Sequence, residues 1–182
     1  FNHVIDRGMA FYWCTSEWSS TEITAAWEIA DRLGLVGPVC EQPQYSMLQR
    51  QRVESGYREL YDKRGLGTTI WSALSSGVLT GKYNNGIPPN SRLAHADASW
   101  ILKQFKSGRR HREISGGWDE IIARVVDLTW IAASIDCTMA QLAIAWCLKN
   151  DDVTSVILGA TKLSQLEDNF GAMKCATRLG PK

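Results

Sequence analysis

Trp71-Ser72-Ala73-Leu74-Ser75-Ser76-Gly77-Val78-Leu79-Thr80-Gly81-Lys82-Tyr83 carries more potential chemistry than any other stretch of this 182-residue chain. Small hydroxyl residues and glycines let backbone N–H groups approach an anion closely, and a lysine beside them adds a formal positive charge. The chemistry this implies is phosphate binding. It is not the nucleoside-triphosphate loop GxxxxGK[ST], because only three residues separate Gly77 from Gly81-Lys82 and Tyr83 stands where that loop requires Ser or Thr. No GxGxxG turn follows a strand-like run, so the doubly wound dinucleotide fold has no support. On spacing alone, a plain Ser-Ser-Gly turn with a solvated lysine is an equal reading.

The elements that must position this segment are short strand-like runs alternating with longer helical patterns, which predicts βα units and a parallel sheet. Strands are expected at 9–13, 38–42, 67–71 and 154–158. Ser19 and Glu22 have capping-box spacing ahead of a helix with Ile23, Ala26, Trp27 and Ala30 on one face, closed by Gly34. Val53, Tyr57, Leu60 and Tyr61 mark one helix that Gly65 stops. Ile121, Val125, Leu128, Ala132 and Ile135 mark another, and a capping box from Thr138 to Gln141 opens the next. A final helix presents Leu163, Leu166 and Phe170. Residues 72–97 interrupt the alternation with a loop too long for a connector, and therefore a candidate functional loop. Four βα units are half of a closed (β/α)8 barrel, or an open α/β sheet.

Composition narrows the function classes. With 20 basic and 19 acidic residues, the net charge of +1 makes no case for nucleic acid or for an acidic membrane surface. The one dense basic run, Arg109, Arg110, His111 and Arg112, reads as a solvated helix face. Five widely spaced cysteines without a CxxC pair read as reduced thiols of a cytoplasmic protein. No apolar run approaches the roughly 18 residues of a membrane span, and no leader pattern opens the chain. The chain starts on Phe1 and enters at once a helix-like stretch, 2–7, which reads as a truncated start.

A resemblance now becomes specific. Thr15-Ser16-Glu17-Trp18-Ser19, Cys40-Glu41-Gln42, Trp71-Ser72-Ala73-Leu74, Gly77-Val78-Leu79-Thr80-Gly81-Lys82-Tyr83, Gly86-Ile87-Pro88-Pro89, Ser91-Arg92, Gln141-Leu142-Ala143-Ile144-Ala145-Trp146-Cys147-Leu148 and Ile157-Leu158-Gly159-Ala160 with Gln165-Leu166 and Asn169 follow one another. In that order they resemble aldo-keto reductases, most of all the voltage-gated potassium-channel β-subunit branch, across essentially the whole chain. The fold implied is the (β/α)8 TIM barrel of that family, with residues 1–182 as the C-terminal half of a single barrel domain and about its last four βα units.

The resemblance implies a bound NADP. Trp71 would stack on the nicotinamide, while Ser16 and Gln42 would hydrogen-bond its carboxamide. Ser72, Leu74, Ser76 and Gly77 would line the pyrophosphate, with Lys82 and Arg92 supplying charge for it and for the 2′-phosphate. Gly159, Thr161, Gln165, Asp168 and Asn169 would hold the adenosine. Taken singly, each has an ordinary structural role as its rival. Three positions depart from the pattern: Cys14 where a glycine is usual, Glu17 where the channel branch has a basic residue, and Asp168 for a longer Glu.

Family activity is reduction of aldehydes or ketones by NADPH, with a Tyr donating the proton beside Lys, His and Asp on the first four strands. Those strands would precede Phe1, so no catalytic residue is assigned, and the expectation is a chain inactive by itself. Its open sheet edges would make it self-associate, misfold or need an N-terminal half. The last barrel helix would follow Lys182. The resemblance also implies a carbonyl substrate or a potassium-channel α-subunit as partner, and a homotetramer for the whole protein.

Overall fold

The structure, a computed structural model, describes residues 1–107 and 117–180. The basic run at 109–112 lies outside the described residues. A short helix α1 (Asn2–Asp6) leads to strand β1 (Cys14–Ser16), helix α2 (Ser20–Leu33) and strand β2 (Cys40–Gln42). A wide helical turn at Arg52–Gly56 precedes α3 (Arg58–Arg64) and β3 (Gly67–Ile70). Helices α4 (Ser99–Lys106), α5 (Trp118–Ser134) and α6 (Met139–Leu148) come before β4 (Val153–Val156), and α7 (Leu163–Phe170) and α8 (Ala172–Arg178) follow it. The strands pair in chain order, β1-β2-β3-β4, all parallel. Neighbouring parallel strands that never reverse their order are the repeating arrangement of a (β/α)8 barrel and not of a doubly wound sheet.

The first strand lies later than its hydrophobicity predicts. Residues 9–13 are not in the ladder, and Phe11 is 90% exposed. Pairing decides the position: Cys14, Thr15 and Ser16 stand opposite Cys40, Glu41 and Gln42. Glu17 then turns to φ 63 and ends the extended run. The helix expected through Val53 and Tyr61 is likewise divided at Tyr57, whose φ of −101 and ψ of 2 leave helical geometry.

Period-two alternation splits the sheet into unlike faces. Thr15, Glu41, Thr68, Ile70 and Val153 are buried, while Cys14 and Ser16 are exposed and Cys40, Gln42 and Thr69 half-buried. Beneath the buried face lie two clusters, Ile23, Trp27, Tyr57, Leu60 and Leu66 from the first units, and Tyr45, Val53, Ile70, Ala73, Cys147 and Val153 from the later ones. The largest cluster joins α4, α5 and α6 to the long segment after β3 through Val78, Leu79, Tyr83 and Leu93. That segment is therefore anchored by its own apolar residues and holds its polar ones in fixed places.

Both capping boxes form. Ser19 accepts from the Glu22 amide and Thr138 from the Gln141 amide, each with the return bond in place. Gly34 and Gly65 close their helices in the left-handed conformation. The helix expected through Leu163, Leu166 and Phe170 forms as α7 and ends at Gly171, where an added Cβ would meet the Gln141 side-chain nitrogen at 2.3 Å. Leu163 and Phe170, expected on one face of a single helix, are exposed.

Candidate functional site

The C-terminal ends of the four strands carry most of the residues singled out by sequence. Ser16 and Gln42 are register partners on one rung of the open face, and the Ser16 hydroxyl donates to the Gln42 carbonyl at 3.0 Å. Trp71 continues β3: its amide donates to the Pro43 carbonyl at 3.1 Å, and its carbonyl accepts from Tyr45 at 3.3 Å. Alternation puts Trp71 on the same side as Thr69, with Cys40 and Gln42 on the neighbouring strand.

From Ser72 the backbone turns sharply. Ser72, Ser75, Ser76 and Gly77 have φ of 62, 46, 58 and 90, and Gly81 has φ 76. Non-glycine residues rarely adopt this conformation, and a run of them marks a backbone shaped for something other than compact packing. Lys82 folds back over the turn, its Cε and Nζ 2.7 Å from where a Cβ on Gly77 would stand. The Lys82 ammonium also lies 5.1 Å from the Tyr83 ring centroid. Arg92 opens the turn Arg92–Ala94, which packs against Ser75–Thr80, and the Leu93 amide donates to the Tyr83 hydroxyl at 3.4 Å. Both cations are exposed and belong to one anchored loop.

The Ile157 amide donates to the Ile70 carbonyl at 2.8 Å, so the chain leaves β4 next to where it leaves β3. Gly159 and Thr161 are exposed, and Gln165 accepts from the Thr161 amide at 2.9 Å and from its hydroxyl at 3.2 Å. Asn169 is buried. Asp168 reaches away to α6, accepting from Thr138 at 3.1 Å and from Gln141 at 2.8 Å. The first turn of α6 thus touches both segments, since an added Cβ on Gly81 would meet Met139 at 3.9 Å.

Four groups at this site were not singled out from the sequence as site residues. Glu41, fully buried, accepts from the Thr15 hydroxyl and from the Trp18 amide at 3.1 Å, pinning the loop after β1. Gln44 carries a buried side-chain nitrogen without a partner among the described residues. Arg52 and Glu17 form an ion pair at 2.5 Å over the strand ends. Glu17 and Glu41 stand within family motifs that gave them no role, and Gln44 and Arg52 lack any spacing that marks them.

Burial raises the Glu41 pKa above the ordinary carboxylate range, and its bonds to Thr15 and to the Trp18 and Glu17 amides oppose this only in part. The folded state therefore holds this proton more tightly than the unfolded chain does. Its contribution is complete below the unfolded pKa and is lost as pH rises through the folded one. Glu41→Gln is expected to flatten the decline in urea midpoint as pH rises above the ordinary carboxylate value, relative to wild type. An unchanged or steeper decline would contradict it.

The residues present fit a nicotinamide dinucleotide. An exposed Ser16 paired with a half-buried Gln42, an aromatic ring at the adjoining strand end, a turn whose glycine admits a lysine, a second cation and an unsatisfied buried amide nitrogen are groups that could hold one. Among the described residues Tyr45, Tyr57 and Tyr61 are poor proton donors. Their hydroxyls bond to Glu54, the Trp18 carbonyl and the Val53 carbonyl, and burial first of all pushes all three pKa values up.

Strand order and flanking helices are consistent with a fragment of a (β/α)8 barrel, and the chain belongs to the Aldo/keto reductase family, whose sequence profile matches residues 1–178. Within it, the chain is 48% identical over 181 residues to an Arabidopsis thaliana protein named "Probable voltage-gated potassium channel subunit beta", covering 99% of this chain and 52% of that protein. It is 47% identical over 182 residues to an Oryza sativa subsp. japonica protein of the same name, covering 100% and 52%. The chain spans about half the length of these curated relatives.

The matches overturn the expectation of an inactive piece. Essentially every residue of the chain aligns with proteins named as channel subunits, and the family match runs over residues 1–178. The expectation of inactivity, drawn from the Asp, Tyr, Lys and His segment lying before Phe1, is therefore withdrawn. No single helix among the described residues is long and apolar enough to cross a membrane.

Proposed function

We propose that this chain is the dinucleotide-binding, C-terminal half of the barrel of a regulatory β subunit of a voltage-gated potassium channel, with bound NADP(H) linking the subunit to the redox state of the cytoplasm. The observation that carries the reading is the Lys82 side chain lying over Gly77 in a turn of left-handed serines that follows β3, whose end pairs with the end of β4. The near-half identity to two plant proteins named as β subunits favours this reading over a free-standing reductase. Ser16 and Gln42 would hold the carboxamide, Trp71 the ring face, Ser72, Leu74, Ser76 and Gly77 the pyrophosphate, and Lys82 and Arg92 its charges and the 2′-phosphate. Gly159, Thr161, Gln165 and Asn169 would hold the adenosine. Asp168 would act through α6, whose first turn it braces.

When bound, the reduced nicotinamide supplies a hydride, and the chain's own residues orient the ring and neutralise the phosphates. The whole protein would assemble as a homotetramer on a channel α-subunit. Family membership favours a second reading, reduction of a small aldehyde or ketone by the same cofactor. Cofactor-fluorescence titration of the purified protein tests what both share. NADPH is expected to bind about tenfold or more tighter than NADH, the effect of one charged phosphate contact. Equal affinities, or no binding of either, would contradict the proposal.

A further inference from the structure

The exposed Glu17 side chain is held by three donors at the strand ends, and the roles above leave it without a task. Its backbone sits at φ 63. One carboxylate oxygen accepts from the Gln44 amide at 2.6 Å and from the Trp71 indole nitrogen at 3.1 Å. The other accepts from Arg52 at 2.5 Å. One side chain thus connects the loop after β1, the loop after β2, the end of β3 and the helical turn Arg52–Gly56.

We infer that Glu17 is a positioning residue that fixes the plane of the Trp71 indole for the nicotinamide, and so sets affinity at that end of the cofactor alone. This rests on the dinucleotide reading of the site. An indole held only by its packing can rotate about its side-chain bonds, whereas an N–H anchored to a carboxylate that is itself held at two further points has one preferred plane. Such anchoring lowers the ordering cost of stacking. A free carboxylate there would repel an anionic cofactor, and the Arg52 pair removes that penalty while keeping the acceptor. A basic residue at position 17 could not accept the indole proton at all.

The test compares NADPH with 2′-phospho-ADP-ribose, which lacks the nicotinamide, on wild type, Glu17→Ala and Glu17→Gln. Glu17→Ala is expected to weaken NADPH about fivefold or more while leaving 2′-phospho-ADP-ribose within about twofold. Glu17→Gln keeps an oxygen acceptor and should retain most of the NADPH affinity. The Trp71 indole ¹⁵N–H resonance, assigned with Trp71→Phe, should move in Glu17→Ala and stay near its place in Glu17→Gln. Unchanged NADPH affinity in Glu17→Ala, or equal loss of both ligands, would overturn the inference. Failure of wild type to bind either ligand would overturn the dinucleotide reading instead.

Discussion

Lys82→Ala is expected to weaken NADPH about tenfold and to narrow its advantage over NADH, and Arg92→Ala to do the same by a similar factor. Hydrogen bonds to charged groups contribute roughly 1.5–3 kcal/mol, and the exposure of both side chains favours the lower end. Gly77→Ala reaches the same result without removing a charge. Its Cβ would stand 2.7 Å from Cε and Nζ of Lys82, and its φ of 90 is strained for any side chain, so the ammonium must leave its place over the turn. Fluorescence titration of the three variants checks this. Unaltered NADPH affinity in Lys82→Ala and Gly77→Ala together would separate the lysine from the cofactor.

The largest stability loss is expected at Phe105. Its ring is fully buried and meets Trp118 edge-on, with centroids 5.8 Å apart, joining α4 to the first turn of α5. The same cluster includes Tyr83 and Leu93, the apolar anchors of the loop bearing Lys82 and Arg92. Phe105→Ala leaves a cavity there and should cost about 3–5 kcal/mol in urea denaturation. It should also weaken NADPH while leaving the charges of the site intact. A loss below about 1 kcal/mol would mean that α4 does not hold this loop.

The sequence conveyed the architecture where local and tertiary signals agree. Ser19 with Glu22, and Thr138 with Gln141, form their reciprocal caps because the whole motif is contained in four residues. The strand at Cys14–Ser16 was displaced from the apolar run because cross-strand register, which no local pattern contains, selects the paired residues. For the site, Ser16 lies opposite Gln42 and Lys82 folds over Gly77, contacts that the motifs do not encode, and Asp168 faces α6. Glu17, Gln44 and Arg52 were not legible as a group, since their association depends on three loops meeting and no spacing encodes that.

The cradle after β3 and the segment after β4 must respond to one ligand if the central claim is right. Amide hydrogen exchange of the protein with and without NADPH measures this directly. The account predicts that residues 72–82 and 159–166 slow together on adding NADPH, and less with NADH. Slowing of neither segment, or of one without the other, would contradict a single dinucleotide spanning both.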